Sequence, residues 1–105
     1  MAKVPANIIK TLNKYVKELE NNKYHIEQAI LYGSYAKGSF NEWSDIDIVL
    51  ISENFQGNRY IDEDNIMDIT LSVDRNISPL PFRPEDFTPD NLFVKEILKH
   101  GIRIV

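Results

Sequence analysis

The segment LYGSYAKGSFNEWSDIDIVLIS, residues 31–52, decides the fold of this chain. A turn rich in glycine and serine lies between two apolar runs, and the second run carries Asp45 and Asp47. Alternate residues of an extended strand point to the same face, which places these two carboxylates about 7 Å apart at the backbone. Neighbouring carboxylates repel each other unless a cation lies between them. The pattern therefore indicates a divalent-metal site at the start of a buried strand.

The turn before this strand has the residues of a phosphate-binding loop. The apolar run Ala29–Tyr32 predicts a short buried strand, and Ser34 after Gly33 is a good N-cap for a short helix. Free N–H groups at the start of a helix bind phosphate. Gly33 has no Cβ to obstruct a bound triphosphate, and the Ser34 hydroxyl can donate a hydrogen bond to a phosphate oxygen. Lys37 is as well explained by solvent exposure as by a phosphate contact. Such a cradle beside paired carboxylates predicts metal-assisted phosphoryl or nucleotidyl transfer.

Helices are predicted at both ends of the chain. Apolar residues recur at helical spacing from about Pro5 to about Asn21. Thr88 is the predicted N-cap of the last helix, with Pro89 in its first turn. Gly101 should end that helix, and the final residues IRIV should form a closing strand.

The middle of the chain predicts a loop, a strand and a proline-rich segment. Residues 53–65 are polar and read as a loop with a helical turn near Tyr60. Residues 66–77, IMDITLSVDRNI, alternate apolar and polar side chains, as a strand does. Residues 78–91 carry several prolines and cannot be regular sheet or helix throughout. The predicted order is α, β, short α, β, β, α, β, an α/β domain with one small sheet and helices against it.

A third carboxylate on a neighbouring strand commonly completes a metal site of this kind, and could accept the proton of an attacking hydroxyl. Asp68 and Asp74 both lie on the polar face of the strand predicted over residues 66–77. Either could meet the aspartate pair across the sheet. Geometry alone does not choose between them.

Composition narrows the function classes. The 105 residues fit one domain, 1–105, and no apolar run is long enough to span a membrane, so a cytoplasmic protein is expected. The net charge of −4 argues against a protein that coats nucleic acid. The absence of cysteine excludes disulfides and thiolate metal sites within this sequence.

These motifs resemble the nucleotidyltransferase superfamily related to DNA polymerase β. Residues 31–52 look like its small stand-alone members, the minimal nucleotidyltransferases, and so do VDRNISPLPFRPEDF and KEILKHGIRIV further along. The resemblance covers most of the chain from Ala29 onward. It implies a palm-like nucleotidyltransferase fold with a small mixed sheet, ATP as the nucleotide substrate and a site for two Mg²⁺ ions.

The resemblance also implies roles for individual residues. Gly33 and Ser34 match the nucleotide-phosphate positions, and Asp45 and Asp47 match the two metal-binding aspartates. Asp74 matches the third carboxylate best, with Asp68 as the alternative.

Two departures from the family pattern concern cations. Lys37 stands where relatives often carry arginine, which keeps a charge but loses bidentate phosphate contact. Arg75 and Asn76 follow Asp74, where similar proteins usually have a further arginine before the isoleucine.

Minimal nucleotidyltransferases often pair with a small helical protein of the HEPN type, and some transfer AMP from ATP to a tyrosine of that partner. The resemblance implies this antitoxin role for the chain. The alternative is a non-catalytic antitoxin or binding module that neutralises a helical partner by contact alone.

Overall fold

The computed structural model describes residues 4–105, which form a four-stranded mixed sheet with helices against it. The strands are β1 Gln28–Tyr32, β2 Ile46–Ile51, β3 Ile77–Phe82 and β4 Ile102–Arg103. The helices are α1 Ala6–Asn21, α2 Ser34–Lys37, α3 Arg59–Val73 and α4 Leu92–His100, with a 3₁₀ turn at Pro84–Asp86. The predicted α/β class with one small mixed sheet is confirmed.

The strand order is β3-β2-β1-β4, which makes β2 a central strand. It runs antiparallel to β1 and parallel to β3, while β4 pairs antiparallel with the other edge of β1. Within residues 4–105, none of the helices combines the length and apolar character needed to cross a bilayer.

The alternating side chains of β2 divide the core into two layers. Ile46, Ile48 and Leu50 belong to the layer that packs against α1 and α3. Val49 and Ile51 belong to a smaller layer on the opposite face, which includes Ile97 of α4. The helix predicted from Pro5 to Asn21 is confirmed as α1, and its Tyr15 hydroxyl lies 2.6 Å from Thr70 Oγ1 of α3 in a buried hydrogen bond.

The strand predicted over residues 66–77 and the loop predicted over 53–65 are wrong, because α3 occupies residues 59–73 of this region. Asn58 begins the helix by accepting hydrogen bonds from two backbone N–H groups. Asp62, Ile66 and Thr70 are buried at intervals of four residues, which is helical spacing. Parallel pairing of β2 with β3 requires a long crossover connection, and α3 supplies it.

The proline-rich segment is partly a strand. It is not regular throughout, as predicted, but β3 includes Pro79 and Pro81 and lies at the sheet edge, where proline is tolerated. The predicted cap of α4 at Thr88 is wrong, because the side chain of Asn91 accepts the backbone N–H of Phe93 at 2.8 Å. Gly101 ends α4 as predicted.

Candidate active site

The turn between β1 and α2 lies directly against the aspartate strand. Gly33 has φ +73° and ψ −150°, in the half of backbone space that side chains disfavour. A Cβ built on Gly33 would collide with Asp47 Oδ2. The predicted phosphate turn and the predicted metal ligand are therefore in contact, and a side chain at position 33 would displace the Asp47 carboxylate.

Buried side chains hold helix α2 in place. Its Tyr35 and Ala36 are buried, and the Tyr35 ring stacks on Phe40 with centroids 4.7 Å apart. The core therefore fixes the position of Ser34 at the first turn of α2, with its side chain half-buried.

The aspartate pair lies at the beginning of β2. Asp47 is half-buried and its neighbours across the sheet are Tyr32 on β1 and Ser78 on β3. Asp45 is exposed and immediately precedes the strand. Burial raises the pKa of the Asp47 carboxyl above its ordinary value, and the charge of Asp45 raises it further.

These two carboxylates fit a hard divalent cation such as Mg²⁺. Burial is the larger cause of the raised Asp47 pKa, and a bound cation would remove the smaller cause, the repulsion by Asp45. Carboxylate oxygen is also the ligand that Mg²⁺ prefers. In residues 4–105, no group of three or more histidine or acidic side chains is arranged to hold a metal. Asp45 and Asp47 would therefore share the ion with oxygens of the substrate and of water.

The structure places both candidates for the third carboxylate off the sheet. Asp68 is exposed on α3. Asp74 follows the last residue of α3, where its Oδ1 accepts the backbone N–H of Asn76 at 2.8 Å. The strand residue opposite Asp47 is Ser78. A strand position for either aspartate is thus wrong, and the metal-binding or catalytic role of Asp74 stays a prediction.

Lys37 and Arg59 are cations that line cavities at the candidate site. Lys37 is exposed and lines a cavity of about 140 Å³ with Gly33 and with Glu96 of α4. Arg59, at the start of α3, donates to Glu63 at 3.0 Å. Sequence reasoning missed both Arg59 and Glu63, because the segment that contains them was interpreted as a loop.

Arg59 lies within electrostatic reach of Tyr32, the neighbour of Asp47. The pKa of Tyr32 is raised to about 12, first by burial and then by the charge of Asp47. Arg59 lowers this pKa, and Glu63 raises it. The carboxylate pair and the Arg59–Glu63 ion pair therefore share one electrostatic environment.

Two clefts flank this environment, and Arg59 lines both. The α3–β3 cleft, of about 420 Å³, is lined by Asp45, Glu63, Met67, Leu71 and Ser78 among others. The second cleft, of about 730 Å³, has aromatic walls that include Tyr32, Phe82 and Phe93. Open clefts therefore lie on both sides of Arg59 at the candidate site.

Comparison with known proteins identifies the family of this chain. The profile of the family "Polymerase beta, Nucleotidyltransferase" matches residues 10–105. A candidate protein adenylyltransferase of Methanocaldococcus jannaschii, MJ0141, is 27% identical over 101 residues, which cover 92% of this chain and 95% of the relative. A second candidate protein adenylyltransferase of that organism, MJ1305, is 36% identical over 63 residues, covering 56% of this chain and 43% of the relative.

Two solved structures have the same fold. A crystal structure of a candidate nucleotidyltransferase from Sulfolobus solfataricus gives a TM-score of 0.62 at 18% identity, covering 92% of this chain and 78% of that one. The structure of a toxin–antitoxin with AMP-PNP gives a TM-score of 0.58 at 20% identity, covering 89% and 71%. Together with the family match over nearly the whole chain, the fold and the Gly33–Asp47 contact lead to one conclusion: this chain belongs to the polymerase β nucleotidyltransferase family and is a nucleotidyltransferase.

Proposed function

We propose that the chain transfers AMP from ATP to a hydroxyl group of a partner protein, in a reaction that depends on Mg²⁺. The observation that carries this proposal is the contact of Gly33 with Asp47 Oδ2, with Asp45 two residues earlier. This contact supports the proposal because it puts the predicted phosphate-binding turn beside the predicted metal ligands. Since the reaction uses a nucleoside triphosphate, we place it in the cytoplasm.

Each residue has a role that its position supports. The backbone of Gly33 and Ser34, with the Ser34 hydroxyl, would bind the triphosphate. Asp45 and Asp47 would hold the metal, which when bound neutralises phosphate charge and polarises the transferred group. Arg59 adds a guanidinium that can face the phosphates. Lys37, exposed beside Gly33, is the further phosphate contact expected from the resemblance.

In the reaction, the acceptor oxygen forms a bond to the α-phosphorus, and the bond to the bridging oxygen breaks, so that pyrophosphate leaves. The hydroxyl proton passes to a carboxylate. Asp74 is the candidate base and third metal ligand from the family resemblance. Glu63, which lines the α3–β3 cleft with Asp45, is the candidate base from the structure.

The proposed acceptor is a tyrosine of a small helical partner of the HEPN type, which makes the chain an antitoxin. The name of the relative MJ0141 as a protein adenylyltransferase and the toxin–antitoxin among similar structures support a protein acceptor. The net charge of −4 also favours a protein over a nucleic acid.

Label transfer tests the proposal. The protein is incubated with ATP labelled at the α-phosphate, Mg²⁺ and the protein encoded beside it. Asp45→Asn and Asp47→Asn should each lower transfer about a thousandfold, because each removes a metal ligand worth several kcal/mol. Asp90→Asn, at an exposed aspartate ahead of α4, is the matched control and should transfer normally. No transfer by the wild type, or equal transfer by all three variants, would refute catalysis at this site.

A second function is favoured by one observation, the serine opposite Asp47 on β3. With Ser78 in place of a carboxylate, the chain could act as a non-catalytic antitoxin that neutralises its partner by contact. Relief of the growth arrest caused by the partner distinguishes the two functions. If the Asp45→Asn, Asp47→Asn double variant still relieves growth arrest by the partner completely, contact is sufficient; if relief is lost while binding persists, chemistry is required.

A further inference from the structure

The outward face of α3 carries large apolar side chains. Tyr60, Met67 and Leu71 are 79%, 49% and 57% exposed. Their spacings of seven and four residues place them on one stripe of the helix, away from the buried Ile66 and Thr70. Adjoining exposed apolar side chains commonly mark an interaction site, and Met67 and Leu71, one turn apart, form such a pair.

The stripe continues into the candidate active site. Met67 and Leu71 both line the α3–β3 cleft, and Asp45 and Ser78 line the same cleft. A ligand that contacts these two side chains would therefore reach Asp45, the exposed member of the aspartate pair.

The direction of the reaction distinguishes the two sides of the site. In-line transfer requires the attacking and leaving oxygens on opposite sides of the phosphorus. Gly33 touches Asp47 from the β1 side of β2, whereas Ser78 flanks Asp47 from the β3 side. A nucleotide whose leaving phosphates lie on Gly33 and Ser34 leaves the β3 side open to the acceptor.

We infer that the α3–β3 cleft is the acceptor subsite, and that it takes a polypeptide segment whose hydroxyl residue is flanked by aliphatic and basic side chains. This inference rests on the proposed function and specifies its acceptor. The aliphatic preference follows from Met67 and Leu71, which offer thioether and aliphatic surface and no charge to a bound segment.

The basic preference follows from the charges along the stripe. Asp64 and Asp68 are exposed, three residues before Met67 and Leu71 respectively, which puts them on the adjoining surface. Asp45 and Glu63 line the cleft itself. Two cations, Arg59 and Arg75, line it as well, and the Arg59 guanidinium is engaged by Glu63 at 3.0 Å. Within the cleft the two carboxylates and the two guanidinium groups balance, and Asp64 and Asp68 add two negative charges on the adjoining surface. This excess attracts lysine and arginine and repels a nucleic-acid backbone.

Peptide binding followed by NMR tests the subsite without relying on chemistry. The ¹⁵N-labelled protein is titrated with a peptide that contains one tyrosine between leucines and lysines, and with a matched peptide that contains serines and glutamates instead. The first peptide should shift the amides of Met67, Leu71 and Ser78, and should bind about tenfold tighter than the second. No binding at millimolar peptide, equal binding of both, or shifts on another surface would overturn the inference.

Two matched variants test the stripe. Leu71→Asp should weaken binding of the basic peptide about tenfold and lower AMP transfer to it to the same extent. Leu98→Asp is the control, since Leu98 is 53% exposed on α4 against 57% for Leu71 on α3, and it should change neither. Equal effects of the two variants would overturn the inference. Melting temperatures show that both remain folded.

Charge reversal tests the basic preference should Leu71→Asp fail to fold. The Asp64→Lys, Asp68→Lys double variant should bind a peptide with one tyrosine between leucines and glutamates better than the peptide with leucines and lysines, since these two peptides differ in charge alone. An unchanged preference would contradict the assignment, as would an oligoribonucleotide that binds the wild-type cleft more tightly than either peptide.

The failure of the acceptor subsite and the failure of the proposed function give different results. A peptide that binds the cleft but acquires no label from ATP would leave the subsite standing and refute AMP transfer to this acceptor class. A peptide that is labelled equally by wild type, Leu71→Asp and Leu98→Asp would support AMP transfer to a protein and refute the acceptor subsite.

Discussion

The β1–β2 side of the candidate site fits a glycine against the Asp47 carboxylate, whereas the β3 side places Ser78 opposite the same group. The first side is crowded and fixed by buried side chains of α2. The second opens into the α3–β3 cleft, where Met67 and Leu71 are half-exposed. The difference teaches that one side is shaped for a small, invariant group such as a phosphate, and the other for a larger, more variable acceptor.

The largest expected effect comes from disturbing the crowded side. Gly33→Ala places a methyl group on Asp47 Oδ2 at a backbone φ of +73°, so the metal ligand must move. Transfer should fall about a thousandfold, as expected for loss of a metal ligand. Steady-state transfer from labelled ATP measures it.

Gly38→Ala is the matched control for Gly33→Ala. Gly38 has φ +80° and ψ 11° at the other end of α2, a left-handed conformation that alanine also disfavours, so the control introduces positive-φ strain away from Asp47. It should lower the melting temperature while keeping most of the transfer activity. Equal losses from both variants would show that strain, and not the contact with Asp47, explains the requirement for glycine.

The second effect concerns the open side, where the acceptor loses its proton. Glu63→Gln should lower transfer about a hundredfold, the usual contribution of a general base. Asp74→Asn should change it by less than about twofold, because an asparagine Oδ1 can accept the same hydrogen bond from Asn76 N–H. The pH dependence of kcat for the two variants is the measurement. The opposite order of effects would assign the base and third ligand to Asp74, as the family resemblance implies.

A smaller effect, on metal affinity, should follow from adding a carboxylate on the β3 side of Asp47. Ser78→Asp puts a third carboxylate opposite Asp47. It should tighten Mn²⁺ binding about tenfold, since one further charge near the ion contributes on the order of 1 kcal/mol. Ser78→Asn is the neutral control, and Mn²⁺ affinity is measured by paramagnetic relaxation. Unchanged affinity would show that position 78 does not face the metal.

The smallest expected effect is on stability. The pKa of Asp47 is raised in the folded state, so its ionisation destabilises the metal-free fold as pH rises through that pKa, and protonation restores the lost stability. The melting temperature of Asp47→Asn minus that of wild type should therefore increase from acid to neutral pH in chelator. Mg²⁺ should reduce the difference by stabilising the wild type. A difference independent of pH would contradict the raised pKa.

The crowded side was predictable from sequence because its signals are local. A glycine before a serine, followed by alternate aspartates in an apolar run, specifies a turn and a strand over a few residues. The sequence predicts a common phosphate and metal site at Gly33, Ser34, Asp45 and Asp47, but not the contact between Gly33 and Asp47. The sequence does not reveal that glycine is required there for space, since that depends on how β1 pairs with β2.

The open side was mispredicted for a physical reason. Met67 and Leu71 are apolar but exposed, and together with the partly buried Ile69 and Val73 they produce the alternation of a strand within a helix. The helical periodicity of α3 is obscured in the sequence because these exposed apolar side chains do not pack into the core. Ser78 and Glu63 were missed as a result, because the true neighbour of β2 begins only at Ile77.

Proline in β3 has a consequence for how a partner can attach. Ile77 N–H donates to Asp74 and not to β2, so the N–H groups of alternate residues along β3 point to the open edge of the sheet. Pro79 and Pro81 occupy two of those positions and have no N–H. A strand added at the β3 edge would find no backbone N–H donor at these positions. Edge-to-edge aggregation and strand addition are therefore disfavoured at this edge. At the β3 edge a partner must instead be recognised through side chains, which favours a helix or a loop as the binding element.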